Sequence, residues 1–193
     1  MKTTTKNLLL SILGVFFLFS TSIVLTFLFL FFLPTHTTHE LVSEHEAIMY
    51  SVLPFTNQDI GFLSADEQSH MRDVARLGLL FIITAIISGL LCVRYGFHKV
   101  LHASGFFLIS IFFLSTLFFR QFWNWFHYVF FPQGNWQFPH DSILILLYPQ
   151  EYFFGATMVF LGLYCLVLLV VVKLEIVREH ADNIRSQRMN GSL

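Results

Sequence analysis

The chain has 193 residues, of which 55% are hydrophobic and only 12% charged, with 25 Phe and a formal net charge of -1. A globular chain carries roughly 25% charged residues, and half that fraction leaves too little polar surface to coat a water-soluble particle. A cytosolic enzyme is therefore excluded, and 11 Lys and Arg against 12 Asp and Glu give no basic face for nucleic acid.

Asn7 to Leu33 is an uncharged run of 27 residues. At ~1.5 Å per helical residue it exceeds the ~30 Å hydrocarbon core, and it is far longer than the apolar part of a cleaved signal, so it predicts a retained membrane helix. Residues 34–76 follow as a polar segment. His36, His39 and His45 stand there with Glu40, Glu44 and Glu46, but without an H-E-x-x-H or H-x-x-E-H arrangement; the run reads as a hydrated stretch, and no metal is expected. Ser64-Ala65-Asp66-Glu67 is a capping box that should start a helix. That helix would carry Asp66, His70 and Asp73 on one face before entering a second span, residues 77–93. A solvated acidic face is the plainer reading of those three; the sharper one is a histidine held and made more basic by two carboxylates.

A short turn from Arg94 to Lys99 precedes a third uncharged span, residues 100–119. If that span continues helically, Arg120, Asn124, His127 and Phe131 form one polar stripe bounded by rings. All three Trp fall between 123 and 136, which is what an interfacial aromatic belt looks like. Arg120 and His127 embedded among rings also mark a pocket, because unpaired polar groups there are costly. Two prolines and a Gly-Asn step forbid regular helix between Pro132 and Pro139. Asp141 and Ser142 then cap a short apolar helix from Ile143 to Leu147, too short to span, and residues 152–172 form the fourth span.

The expected architecture is thus an all-α integral membrane protein, one domain over residues 1–193, with four transmembrane helices. Eight basic residues lie on the side of the termini and three on the other, which puts both termini in the cytoplasm and residues 34–76 and 120–151 outside as a cap. That cap holds nine of the twelve acidic residues and six of the nine histidines. Cys92 and Cys165 cannot reach it, so thiol chemistry is not expected there.

Leu63 to Val74, followed by Phe126-His127-Tyr128-Val129-Phe130-Phe131, Gly134-Asn135-Trp136-Gln137-Phe138 and Asp141-Ser142-Ile143-Leu144-Ile145, resembles the lipoprotein intramolecular transacylase family of bacterial membrane proteins. The histidine run from Thr35 to Glu46 has no counterpart in the family pattern, and the Arg94 to His102 turn is more compact than that pattern. The resemblance implies a plasma-membrane enzyme that moves an acyl chain from the sn-2 ester of a diacylglyceryl-Cys to that residue's α-amine, giving a lyso-form lipoprotein. It implies diacylglyceryl-modified lipoproteins and membrane lipid as partners, no cofactor, and two catalytic histidines, His70 and His127. Asp66 or Asp73 would orient His70, with Arg120, Asn124, Tyr128, Trp136 and Asp141 as further candidates toward the substrate. Two rival readings stay open at this stage: a membrane ester hydrolase using Ser142 or Ser69 with His127, and a non-catalytic four-helix scaffold.

Overall fold

The computed structural model describes residues 3–32, 41–53, 56, 58–96 and 100–190. These residues form α1 (Thr3–Phe32), α2 (Val42–Ser51), α3 (Ala65–Tyr95), α4 (Val100–Leu117), α5 (Phe119–Phe130), α6 (Ile143–Leu147) and α7 (Gln150–Asn190), and among them there is no strand. Three helices, α1, α3 and α7, are each long and apolar enough to cross a membrane; α4 with α5 adds a fourth if that bent pair counts as one span.

Each element follows from local chemistry. In α1 the hydroxyls of Ser11, Ser22 and Thr26 bond the carbonyls of Asn7, Leu18 and Ser22 at 2.7–2.8 Å. Polar side chains in an apolar helix are satisfied this way within their own backbone, where no water is at hand. The capping box is present as the sequence predicts: Ser64 Oγ accepts from the Glu67 amide and Glu67 Oε2 from the Ser64 amide at 2.8 Å.

Two seams hold the helices together. Leu18 of α1 packs with Phe160, Tyr164, Leu168 and Val171 of α7, and Phe112 of α4 closes that cluster. Ile48 and Val52, Leu63 and Met71, and Leu144 and Leu147 form a second core that gathers α2, the start of α3 and α6. The outward faces carry large apolar side chains, among them Leu90 and Leu169, both about two-thirds exposed. Water would not tolerate that coat, and lipid does.

Gly105 marks the closest approach of α4 to α7. A Cβ there would sit 2.8 Å from both methyls of Leu168, a side chain already buried in the first seam. Gly105→Leu should overpack it and cost about 1–3 kcal/mol. Gly155→Leu meets open space and should leave stability unchanged. Thermal unfolding of the two variants in the same detergent separates them; equal midpoints would show that the glycine is not a packing requirement.

Two expectations change. The third span does not run on: α4 ends at Leu117, and α5 leaves at 110°. No Gly or Pro stands at the break. The chain changes there from uniformly apolar to strongly amphipathic, and an amphipathic helix is stabler across the end of a bundle than within it. The stretch after the first anchor is not merely hydrated, since its described part forms α2 with His45, Ile48 and Met49 buried. The rest of that run, including His36, His39 and Glu40, lies outside the described residues. The fourth span is part of a helix that continues to Asn190.

Candidate active site

His70 and His127 meet where α3 and α5 converge. His70 lies six residues into α3 and His127 near the end of α5, and their rings stack at 6.1 Å between centroids, 21° apart in plane. His127 is 5% exposed. Its Nδ1 lies 2.8 Å from the Trp123 carbonyl oxygen, one turn back. A carbonyl only accepts, so Nδ1 carries the proton and Nε2 keeps its lone pair. Trp123, Trp136 and Phe126 wall the ring at 4.1, 4.8 and 5.4 Å. Phe131 and Phe138 pack on His70 at 4.5 and 5.5 Å.

Burial among these rings pulls His70 down to about 4, aided by the proximity of His127 and opposed by Asp73 and Asn135. Burial likewise lowers His127, against the Trp123 carbonyl, which raises it. Both imidazoles are neutral at pH 7.

The turn after α5 completes the wall. Gly134 adopts φ 79°, a conformation that disfavours a Cβ, and its amide bonds the Phe131 carbonyl. This reversal brings Asn135 against α3, where its amide donates to Ser69 Oγ at 3.1 Å and to Asp73 Oδ2 at 2.9 Å. Gln133 donates to the same Asp73 oxygen at 2.6 Å, and Arg76 bonds the other at 2.9 Å. Trp136 Nε1 is buried beside His127 and has no hydrogen-bond partner among the described residues.

Glu67, one turn before His70, does more than cap α3. It is 4% exposed, and its second carboxylate oxygen accepts from the Leu144 amide at 3.1 Å, tying the first turn of α6 to α3. Ser142 caps α6 by accepting from the Ile145 amide.

Of the residues singled out in the sequence, the fold thus gathers His70, His127, Asp73 and Trp136. Tyr128 is exposed and touches the site only through an edge contact with Trp136 at 5.3 Å. Asp66, Arg120, Asn124 and Asp141 are exposed. Asp66, on the same helix as His70, has no part in holding it, and Arg120 is not embedded among rings as its sequence neighbours imply. The runner-up serines are occupied elsewhere, Ser69 by Asn135 and Ser142 by its cap. Among the described residues no three His, Cys, Asp or Glu side chains converge as a metal site.

Sequence reasoning passes over Asn135, Gln133 and the joining role of Glu67, and also a buried pair, His45 Nδ1 and Tyr148 Oη, 2.8 Å apart. Burial lowers His45 and raises Tyr148. The partners are 103 positions apart, so no local pattern could reveal them.

A model of the family described as lipoprotein intramolecular transacylase Lit matches residues 8–153. Two solved structures share the fold. One is the in meso structure of the membrane integral lipoprotein intramolecular transacylase Lit from Bacillus cereus, 14% identical, with a TM-score of 0.63 over 97% of this chain and 100% of that one. The other is a histidine-to-arginine variant of the Bacillus cereus protein, 15% identical, with a TM-score of 0.61 over 97% and 96%. No curated protein matches the chain.

Proposed function

The chain belongs to the lipoprotein intramolecular transacylase family, and from that membership we propose that it moves the sn-2 acyl chain of a lipoprotein's diacylglyceryl-Cys onto the α-amine of the same cysteine. The site faces the outer leaflet of a bacterial plasma membrane in this reading, with both termini cytoplasmic; the asymmetry of basic residues supports that sidedness. Residues 34–76 and 120–151 then form an extracytoplasmic cap.

The observation that carries the chemistry is the stacking of His70 on His127 inside an aromatic wall, where burial lowers both imidazoles and favours their neutral form. At pH 7 the α-amine of the substrate is mostly an ammonium, since its pKa is about 7.7–8. Converting that ammonium to an amide removes two protons from nitrogen. One ends on the glyceryl oxygen when the ester C–O bond breaks, and the other leaves to water. Two neutral acceptors, His127 buried and His70 half-buried, match that count. The first imidazole frees the amine; the nitrogen attacks the ester carbonyl; the second takes the remaining proton and returns it to the departing oxygen. An imidazolium formed at so low a pKa is a strong acid, which suits it to protonate an alkoxide. The buried, unpaired Trp136 N–H beside His127 is the donor we assign to the developing oxyanion. No protein nucleophile is needed. Ester and amine belong to one molecule, so folding it between the aromatic walls supplies proximity worth several kcal/mol, of a possible ~7–11.

Mass spectrometry of a diacylated lipoprotein N-terminal peptide incubated with the purified protein tests the reading. Unchanged mass, a blocked amine and one relocated acyl chain are expected. Loss of an acyl mass would replace it with hydrolysis, and an unaltered peptide in the presence of folded protein with a non-catalytic scaffold.

A further inference from the structure

Asn135 has a polar arrangement that leaves one atom with a single chemical use. Its amide nitrogen has two hydrogens, and both are spent, one on Ser69 Oγ and one on Asp73 Oδ2. Only Oδ1 remains, and it can only accept. Among the described residues that buried oxygen has no partner, and neither has the buried Nδ1 of His70. Those bonds dock Asn135 on Ser69 and Asp73, the residues on either side of His70 along α3, and Asn135 raises the basicity of the His70 ring.

We infer that Asn135 is a positioning residue that fixes the tautomer of His70, its Oδ1 taking the Nδ1 proton while Asp73 and Ser69 hold its amide so that it cannot turn over. If the amide flipped, its nitrogen would face His70 and its oxygen would face the Asp73 carboxylate, setting acceptor against acceptor. Asp73 therefore acts on His70 at one remove. Arg76 and Gln133, on the same carboxylate, keep it charged and in place. With Nδ1 protonated, His70 presents the lone pair of Nε2, the same tautomer that the Trp123 carbonyl imposes on His127. Both rings are thus set as acceptors before substrate arrives. The charged or titratable groups acting on His70 are His127 from α5 and Asp73 from its own helix.

This inference rests on the reading of His70 as an acid–base residue, and its first test does not depend on activity. Nitrogen NMR of the protein in detergent with ring-labelled histidine, assigned by His70→Gln, should show His70 neutral at pH 7 and protonated on Nδ1. In Asn135→Ala it should become a mixture of the two tautomers. A His70 protonated on Nε2 in the unaltered protein, or a tautomer indifferent to Asn135→Ala, overturns the inference whatever the enzyme does. The second test is kinetic. Asn135→Ala should lower kcat by about one to two orders of magnitude with little change in KM. Asn135→Asp alone sets two carboxylates face to face and should be as poor. The exchange Asn135→Asp with Asp73→Asn restores a donor and acceptor in reversed order and puts a carboxylate on Nδ1–H. It should recover most of the rate and move the acidic limb of the pH profile upward, because a carboxylate raises the imidazole more than an amide does. An exchanged protein no better than Asn135→Asp, or one with an unmoved limb, would count against the assignment. Wild-type protein that fails to transfer acyl chains at all would sink the proposed function and leave the NMR result standing.

Discussion

Replacing His127 with alanine is expected to lower the rate of acyl transfer by about 10²–10⁴, and His70→Ala by a similar factor, because each removes a positioned proton acceptor from the path of the two amine protons. The two losses should not add. A site with one imidazole can still accept one proton, but the second must go to water with no positioned base to carry it. The pair therefore works as a unit, and the double variant should fall little below the worse single one. The measurement is the initial rate of amine blockage at pH 7, with circular dichroism and thermal unfolding confirming that each variant folds. A folded single variant within about threefold of the wild-type rate would end the two-histidine mechanism, since that difference is below 1 kcal/mol in the barrier.

The pH profile gives the same pair a second, independent check. A histidine whose folded pKa is lowered keeps its neutral, proton-accepting form to lower pH and loses it only as pH falls through that lower value. Burial lowers both residues, His70 to about 4. Descending from pH 8, log kcat/KM should stay level through pH 7, because the ammonium is the form whose proton the first imidazole takes, and it should fall only below the ordinary histidine value of ~6.5. A slope near one already reached at pH 6.5 would mean that the imidazoles titrate as if in water, and that the aromatic wall does not desolvate them.

How much of this was readable in the sequence depends on the range of each interaction. The capping box at Ser64 and the Ser142 cap act over three residues, and both were foreseen where they occur. The apolar runs announce their helices because lipid sets their length. His70 and His127 were picked out through a family resemblance, while composition alone left them indistinguishable from an interfacial belt. The break at Phe118 escaped because it lacks glycine and proline; it comes from α5 preferring another direction, which is a tertiary preference. Asn135 escaped for a related reason. An asparagine after a glycine reads as a turn residue, and only the fold shows that this turn sets it against Ser69 and Asp73, more than 60 positions earlier. The burial of α2 is set by α3 and α6 in the same way, so a segment that looked merely polar supplies His45 and Ile48 to the interior.

Glu67 shows how that tertiary order is held. Burial by itself would raise its carboxyl, but the amides of Leu144 and Ser64 and the hydroxyls of Ser64 and Ser142 outweigh burial and hold it below the usual glutamate range. The carboxylate therefore contributes stability that is present above the unfolded value of ~4.3 and is lost as pH falls through the folded value. Glu67→Ala should orphan two backbone donors, the Leu144 amide being fully enclosed, at about 1–3 kcal/mol each. Glu67→Gln should be nearly as harmful, since an amide can accept from one of the two donors but turns its own N–H toward the other. Unfolding midpoints in detergent at pH 7 should fall for both variants, and the gap to wild type should narrow only as pH falls below the unfolded glutamate value of ~4.3 and through the lower folded one. Midpoints matching wild type at pH 7 would refute this role. Catalysis should weaken together with stability, because Glu67 and His70 lie one turn apart on α3. The carboxylate fastens α6 to the helix whose next turn presents His70 to α5, so loosening it shifts the imidazole that the rest of the site is built to hold.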